Sequence, residues 1–122
     1  MENVFSYPIA TAVVARKAAY VDPATGVAAV PNVAGAKCLG LFDLDVAAAE
    51  GNAPVATEGL RPALFGGAVN FHDSLTTDAQ GRLVVAAGAA GTKVWCVGFS
   101  ESKVAQADDI GDVRIHPHQV VM

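Results

Sequence analysis

The 122-residue chain has few charged residues and no long apolar run, and each shortage excludes a class of protein. Charged residues make up 16% of the chain, below the usual quarter or so, and the net charge is −4. The one adjacent basic pair is Arg16-Lys17, so the chain lacks a row of cations for phosphates, and nucleic-acid binding is not expected. No run approaches the roughly 18 apolar residues of a membrane span, so no membrane partner is expected.

The apolar part of the chain consists mainly of small residues. Hydrophobic residues make up 52% of the sequence but aromatic residues only 7%, so alanine and valine supply most of the apolar surface. A chain of this length can fill one modest core and fits a single domain. Because so few charges are available to cover the outside, we expect a partner to cover part of the surface.

Cysteine occurs only twice, as Cys38 and Cys96. Met1-Glu2-Asn3 begins the chain without the basic segment and apolar core of a signal peptide, so we expect assembly in a reducing cytoplasm, where both cysteines remain thiols. Each cysteine lies in a short apolar run near a glycine, which favours a buried structural role. A Cys38–Cys96 disulfide between symmetrically stacked units stays open as an alternative.

Two parts of the chain are nearly the same. Residues 38–41 read Cys-Leu-Gly-Leu, and residues 96–99, which lie 58 positions later, read Cys-Val-Gly-Phe. Upstream, Asp22 and Asp78 open turns that end in glycine, at a spacing of 56 positions. The sequence therefore predicts an internally pseudo-duplicated β-unit whose loops differ slightly in length.

Short β-prone runs are separated by turn residues roughly every eight to twelve positions, which indicates an all-β fold, a small sandwich or barrel. One or two helical turns are expected, at residues 46–50 and 104–107. Residues 1–10 are predicted to form an extended N-terminal arm, because the segment is too short for a helix and contains a proline. Residues 11–122 are predicted to form a single β-rich domain.

Histidine offers the main opportunity for chemistry. His116 and His118 are two positions apart, so on a strand they project from one face, but no nearby cysteine or carboxylate completes a zinc site. His72, Asp73 and Ser74 are adjacent and point to alternating faces, so they cannot act as a catalytic triad. No enzyme activity, metal or cofactor is therefore predicted. The alternative is a small metal-binding β-barrel that uses the three histidines.

Trp95 is the only tryptophan and alternates with Val94 and Cys96 in the most strand-like segment of the chain. A side chain of this size is either the largest residue of the core or an anchor at an interface, and we expect the core position.

Several motifs of the chain resemble those of tailed-phage capsid decoration proteins, also called capsid cement proteins. That family often carries an apolar-Gly-apolar strand, an alanine-rich acidic loop, a Gly-Gly-Ala-Val stretch, a Leu-Thr-Thr-Asp turn, a second apolar-Gly-apolar strand and a late Gly-Asp-apolar segment. The corresponding residues here are 39–41, 47–52, 66–69, 75–82, 97–99 and 111–113.

The resemblance covers roughly residues 18–115 and implies a small β-rich domain bound outside an expanded icosahedral shell, commonly as a trimer or at a local symmetry axis. The chain departs from the family pattern at two places. His72-Asp73 stands where a Gly-Asp turn is more usual, and the His116-Pro117-His118 tail has no counterpart.

We therefore expect a structural virion protein that is made in the host bacterial cytoplasm and lies on the outer capsid surface. It is expected to form a homotrimer, to bridge subunits of the major capsid protein and to stabilise the head against internal DNA pressure. The arm is hypothesised to order on the shell and add a strand to a capsid edge. The hypothesised capsid contacts are Val4, Phe5, Tyr7 and Pro8 of the arm, together with Trp95 and Phe99 if either is exposed. The alternative is another small β-module of the virion, such as a tail or spike component.

Overall fold

The computed structural model describes residues 4–122, which form two five-stranded antiparallel sheets. The first sheet has the strand order β1-β5-β4-β2-β3, and the second has the order β6-β10-β9-β7-β8. The strands are β1 (Val4–Pro8), β2 (Ala18–Val21), β3 (Ala28–Ala29), β4 (Gly40–Phe42), β5 (Asn52–Ala56), β6 (Gly59–Leu64), β7 (Ser74–Thr77), β8 (Leu83–Val85), β9 (Lys93–Ser100) and β10 (Ile110–Val121). The all-β class predicted from the sequence is confirmed.

The second sheet repeats the first with the same pairing register, so the duplication is structural as well as sequential. Pairs of β4 and β5 recur 58 positions later in β9 and β10: Leu41 with Ala56 and Phe42 with Val55, then Phe99 with Arg114 and Ser100 with Val113. We call residues 4–57 the first repeat and residues 59–121 the second repeat.

The connections between strands are repeated as well. The aspartates that open the two predicted turns, Asp22 and Asp78, each accept a backbone N–H two residues later on Oδ1, at 2.8 and 2.9 Å. Arg16 and His72, which lie 56 positions apart, both adopt a positive φ, of 71° and 65°. Residues 13–21 are largely β-prone in sequence, but the left-handed turn at Arg16 interrupts them, so that only their end forms strand β2.

Each sheet curls so that its edges approach one another. Isolated parallel bridges join Ile9 to Ala28 in the first repeat and Phe65 to Leu83 in the second. An apolar cluster fills the first repeat and includes Ile9, Phe42 and Val55. A larger cluster fills the second repeat, and it also contains Ala18, Leu41 and Ala56 from the first repeat. The two repeats are therefore packed together through apolar side chains, and one core extends across both.

The structure corrects the prediction of an N-terminal arm. Residues 4–8 of that segment form β1, which pairs with β5 from Val4 opposite Ala56 to Pro8 opposite Asn52. This strand is the counterpart of β6, which pairs with β10 in the same way. Residues 1–3 of the predicted arm lie outside the described residues.

One of the two predicted helical turns forms. A 3-10 turn lies at Ala48–Glu50, whereas the turn predicted at residues 104–107 is wrong. Val104 instead exchanges two backbone hydrogen bonds with Val69, each 3.0 Å long. The same bridge joins Val13 to Val46 in the first repeat, so the tertiary pairing overrides the local alanine-rich pattern.

Gly40 and Gly98 are equivalent residues at which the backbone of a neighbouring strand comes very close. A Cβ atom on Gly40 would overlap the carbonyl oxygen of Ala56, and one on Gly98 would overlap the carbonyl oxygen of Arg114. No other amino acid fits without moving a strand, because the obstructing atoms belong to the backbone.

We expect Gly40→Ala and Gly98→Ala each to lower the free energy of unfolding by at least about 2 kcal/mol, through overpacking against a fixed carbonyl. Gly67→Ala is the matched control, since a Cβ there meets no atom within 4 Å and the φ of Gly67 is not positive. The control should change stability by no more than about 1 kcal/mol. Urea unfolding measures the stability of all three variants. Equal effects at the three glycines would contradict the close approach of the neighbouring backbone to Gly40 and Gly98.

Candidate binding surface

A cleft of about 500 Å³ opens between the two repeats. The first repeat contributes residues from β1, β2, the turn after β2 and the segment before β4, and the second contributes residues from β9 and β10. The lining residues are Tyr7, Tyr20, Val21, Pro23, Lys37, Cys38, Leu39, Trp95, Cys96 and Pro117. This lining is largely apolar and aromatic, with few polar groups, which is the usual character of a binding cleft.

Lys37 is the one charged side chain in the lining of this cleft. Its Nζ lies 4.4 Å from the centroid of the Trp95 ring, within the range of a cation–π interaction. The cleft therefore combines aromatic surface with a single positive charge. A ligand segment that carries an apolar side chain and one carboxylate fits this combination.

The prediction that Trp95 is a core residue was wrong. Its side chain is 37% exposed and lies in the lining of the cleft, although its backbone carbonyl accepts a 2.7 Å hydrogen bond from the Thr76 hydroxyl. Large side chains such as Trp are seldom buried completely, and exposed tryptophans are frequent anchors at protein interfaces. Trp95 is therefore a partly exposed lining residue of the cleft, and its interface role stays a prediction.

Both cysteines are buried free thiols, so the structure has no disulfide between Cys38 and Cys96. Burial raises the pKa of Cys38 to about 12, and it also raises the pKa of Cys96. A thiol with a raised pKa stays protonated and is a poor nucleophile. The cysteines therefore act as apolar wall residues of the cleft and not as reactive groups.

The histidines near the carboxyl end are arranged around Phe99. The ring of Phe99 stacks on His118 with centroids 4.4 Å apart and lies 5.9 Å from the centroid of His116. Nδ1 of His118 donates to the carbonyl oxygen of His116 at 2.6 Å, and its Nε2 lies 3.2 Å from the Ser74 hydroxyl oxygen. Pro117 falls in a register shift between β9 and β10, where a residue without an N–H is tolerated.

His72 lies in a different environment from the other two histidines. Its Nε2 is 3.3 Å from Glu101, a carboxylate that also pairs with Arg114 at 2.9 Å. Within residues 4–122, no group of three or more His, Cys, Asp or Glu side chains is arranged to hold a metal ion. No helix in this part of the chain has the length and hydropathy needed to cross a membrane.

The hypothesised contact residues fall into three places. Tyr7 and Trp95 both line the cleft, whereas Phe99 is half-buried in the histidine stack. Val4 and Phe5 are 40% and 52% exposed on β1, at whose end Pro8 is also exposed. Sequence reasoning missed Tyr20, Pro23, Lys37 and Pro117, because the cleft depends on how the two repeats pack, which the repeat pattern does not specify.

Comparison with known proteins finds no matching family model and no matching curated protein. Among solved structures, the chain is similar to the N base of the head fiber gp8.5 of bacteriophage phi29. The two share 18% sequence identity and superpose with a TM-score of 0.62, over 95% of each chain. At this level of identity the similarity shows a common fold.

The raised pKa of Cys38 predicts a pH dependence of stability. The unfolded thiol ionises near its ordinary pKa of 9.0, while the folded thiol stays protonated up to about pH 12. The folded state is therefore fully stabilised by the neutral Cys38 thiol below pH 9. As the pH rises from 9 to about 12, the free energy of unfolding falls by up to about 1.4 kcal/mol per pH unit.

Urea unfolding at about pH 8 and about pH 10.5 tests this in the wild type and in Cys38→Ala. We expect the wild type to lose more stability over this interval than the variant, because the other alkaline groups titrate in both proteins. Equal losses would show that the folded environment does not keep the Cys38 thiol neutral.

Proposed function

We propose that this chain is a structural virion protein that binds the outside of a phage head and bridges neighbouring subunits of the major capsid protein. The observation that carries the proposal is the fold shared, over 95% of both chains, with the base of a phage head fiber. The turn and strand motifs that resemble capsid decoration proteins support the same location. The proposed role is non-enzymatic.

The surface chemistry supports attachment to another protein. Accessible tryptophan and tyrosine side chains in an apolar cleft are typical of the residues that contribute most to interface energy. Tyr7 and Trp95 have this arrangement in the cleft between the repeats. Val4, Phe5 and Pro8 add an uncharged surface beside it, and Phe99 is proposed as a further contact. We assign these six residues to capsid binding.

Binding across subunit boundaries would stabilise the head because rupture of the shell must then break the added contacts. Many copies on a regular lattice reinforce one another, so each contact can be individually weak. We propose that the chain forms a homotrimer on the outer capsid surface, where three copies match a local three-fold position of an icosahedral shell.

Co-sedimentation of the purified chain with expanded, undecorated heads of its phage tests the proposal. Saturation near one trimer per local three-fold position, together with greater resistance of the heads to heat, is the expected result. A few copies per particle would contradict head decoration and favour a tail or spike component, and no binding would overturn the virion-surface role.

We expect Trp95→Ala to weaken head binding at least about tenfold, because it removes the aromatic wall of the cleft. The fold should tolerate the change, since Trp95 is 37% exposed. Phe71→Ala is the matched control: Phe71 is an aromatic residue that is 61% exposed and does not line the cleft. Binding isotherms on expanded heads measure the difference, and equal affinities of the two variants would remove the cleft from the interface.

A further inference from the structure

The two repeats present equivalent edge strands with different backbone chemistry. β1 lies at the edge of the first sheet and β6 at the edge of the second. In the part of the chain that the structure describes, no strand pairs with the outer side of β1 along Val4–Pro8, and the bridge to β3 begins only beyond it, at Ile9. The residue at the centre of β1 is Ser6, and its counterpart in β6 is Pro62, which lies 56 positions later.

Proline identifies which backbone groups point outward. In an antiparallel ladder, opposite residues either exchange two hydrogen bonds or turn their N–H and C=O groups away from one another. Ser6 lies opposite Pro54, which has no N–H, so this pair cannot exchange two bonds. The N–H and C=O of Ser6 therefore point away from β5, toward the free side of β1.

In β6 the backbone groups alternate between inward and outward in the same way, but the outward positions lack a free N–H. Pro62 faces Asp112 at the equivalent position and has no N–H to offer. Two residues further on, the N–H of Leu64 points outward and already donates to the carbonyl oxygen of Arg16, at 2.9 Å. The β6 edge therefore has no donor free at either position.

At one pair of equivalent positions the side chains also differ, with a charge on β6 and an apolar ring on β1. Arg61 of β6 pairs with Asp43 at 2.9 Å, whereas its counterpart in β1 is Phe5, which is 52% exposed. Edge strands are usually protected from pairing by charges or by proline. β1 carries no charge, and its only proline, Pro8, lies at its end.

We propose that β1 accepts an added strand, and that this strand is an extended segment of the major capsid protein. The proposal rests on the proposed function. The outward N–H and C=O of Ser6 form the central pair of backbone hydrogen bonds with the added strand. The segment has apolar side chains that cover Val4 and Phe5, and an acidic side chain that reaches Lys37. Tyr7 connects the two surfaces, since it belongs to β1 and lines the cleft.

Ser6→Pro tests the proposal because it removes the outward N–H without removing a β1–β5 hydrogen bond. Pro62 shows that the fold accepts proline at this position of the repeat. We expect Ser6→Pro to weaken binding to expanded heads at least about tenfold, and Ser6→Ala, which keeps the N–H, to bind as the wild type does. Pro62→Ser, the same exchange at the other edge, should also leave binding unchanged.

The outcomes separate this inference from the proposed function. If the wild type does not bind heads, the virion-surface role fails. If the wild type and Ser6→Pro bind equally, the head role stands and strand addition at β1 is overturned. If the free wild type forms an oligomer that Ser6→Pro abolishes, the occupant of the edge is a second copy of this chain, and the capsid segment is overturned.

A second measurement does not depend on the folding of the proline variant. Hydrogen exchange of the wild type, free and bound to heads, reports on the amides of β1 directly. The proposal predicts slower exchange of the outward Ser6 amide on binding, with little change in β6. Unchanged exchange in β1 at full occupancy of the heads would overturn it.

Discussion

A close backbone contact in each repeat determines the arrangement of the strands around it. The carbonyl oxygen of Ala56 occupies the place where a side chain of Gly40 would lie, and that of Arg114 does the same at Gly98. A contact between two backbones leaves neither strand free to slip by a residue. The pairs of residues next to the glycines consequently have the same register in the two repeats, although β9 and β10 continue beyond a register shift that has no counterpart in the first repeat.

This constraint explains which parts of the fold could be predicted from the sequence. The duplication was recognisable around Cys38 and Cys96 because the glycine and the buried positions there allow few substitutions. The first strand was not recognisable as part of the repeat. Phe5 and Arg61 occupy the same register but share no chemistry, because both lie at a sheet edge that tolerates either. Its strand pairing is determined by distant contacts with β5, which a local pattern does not contain.

The candidate surface was predictable only in part, for a similar reason. Tyr7 was hypothesised as a contact and Trp95 was expected to lie in the core, and the structure places both in the lining of one cleft. Lys37 gave no signal, because a single lysine beside Cys38 acquires a role only when the other repeat places Trp95 against it. Sites formed between repeats depend on how those repeats pack, and side-chain periodicity carries little information about that packing.

The differences between the repeats are informative because each copy serves as a reference for the other. Three positions that pack against the second repeat, Ala18, Leu41 and Ala56, correspond to Ser74, Phe99 and Arg114, where the sheet has no further repeat to cover it. Two of these three counterparts are polar, so the chain adapts its composition when a face is exposed. Phe5 does not follow this rule, since it is apolar and 52% exposed where the other copy has Arg61. The strand addition proposed at β1 would cover this side chain.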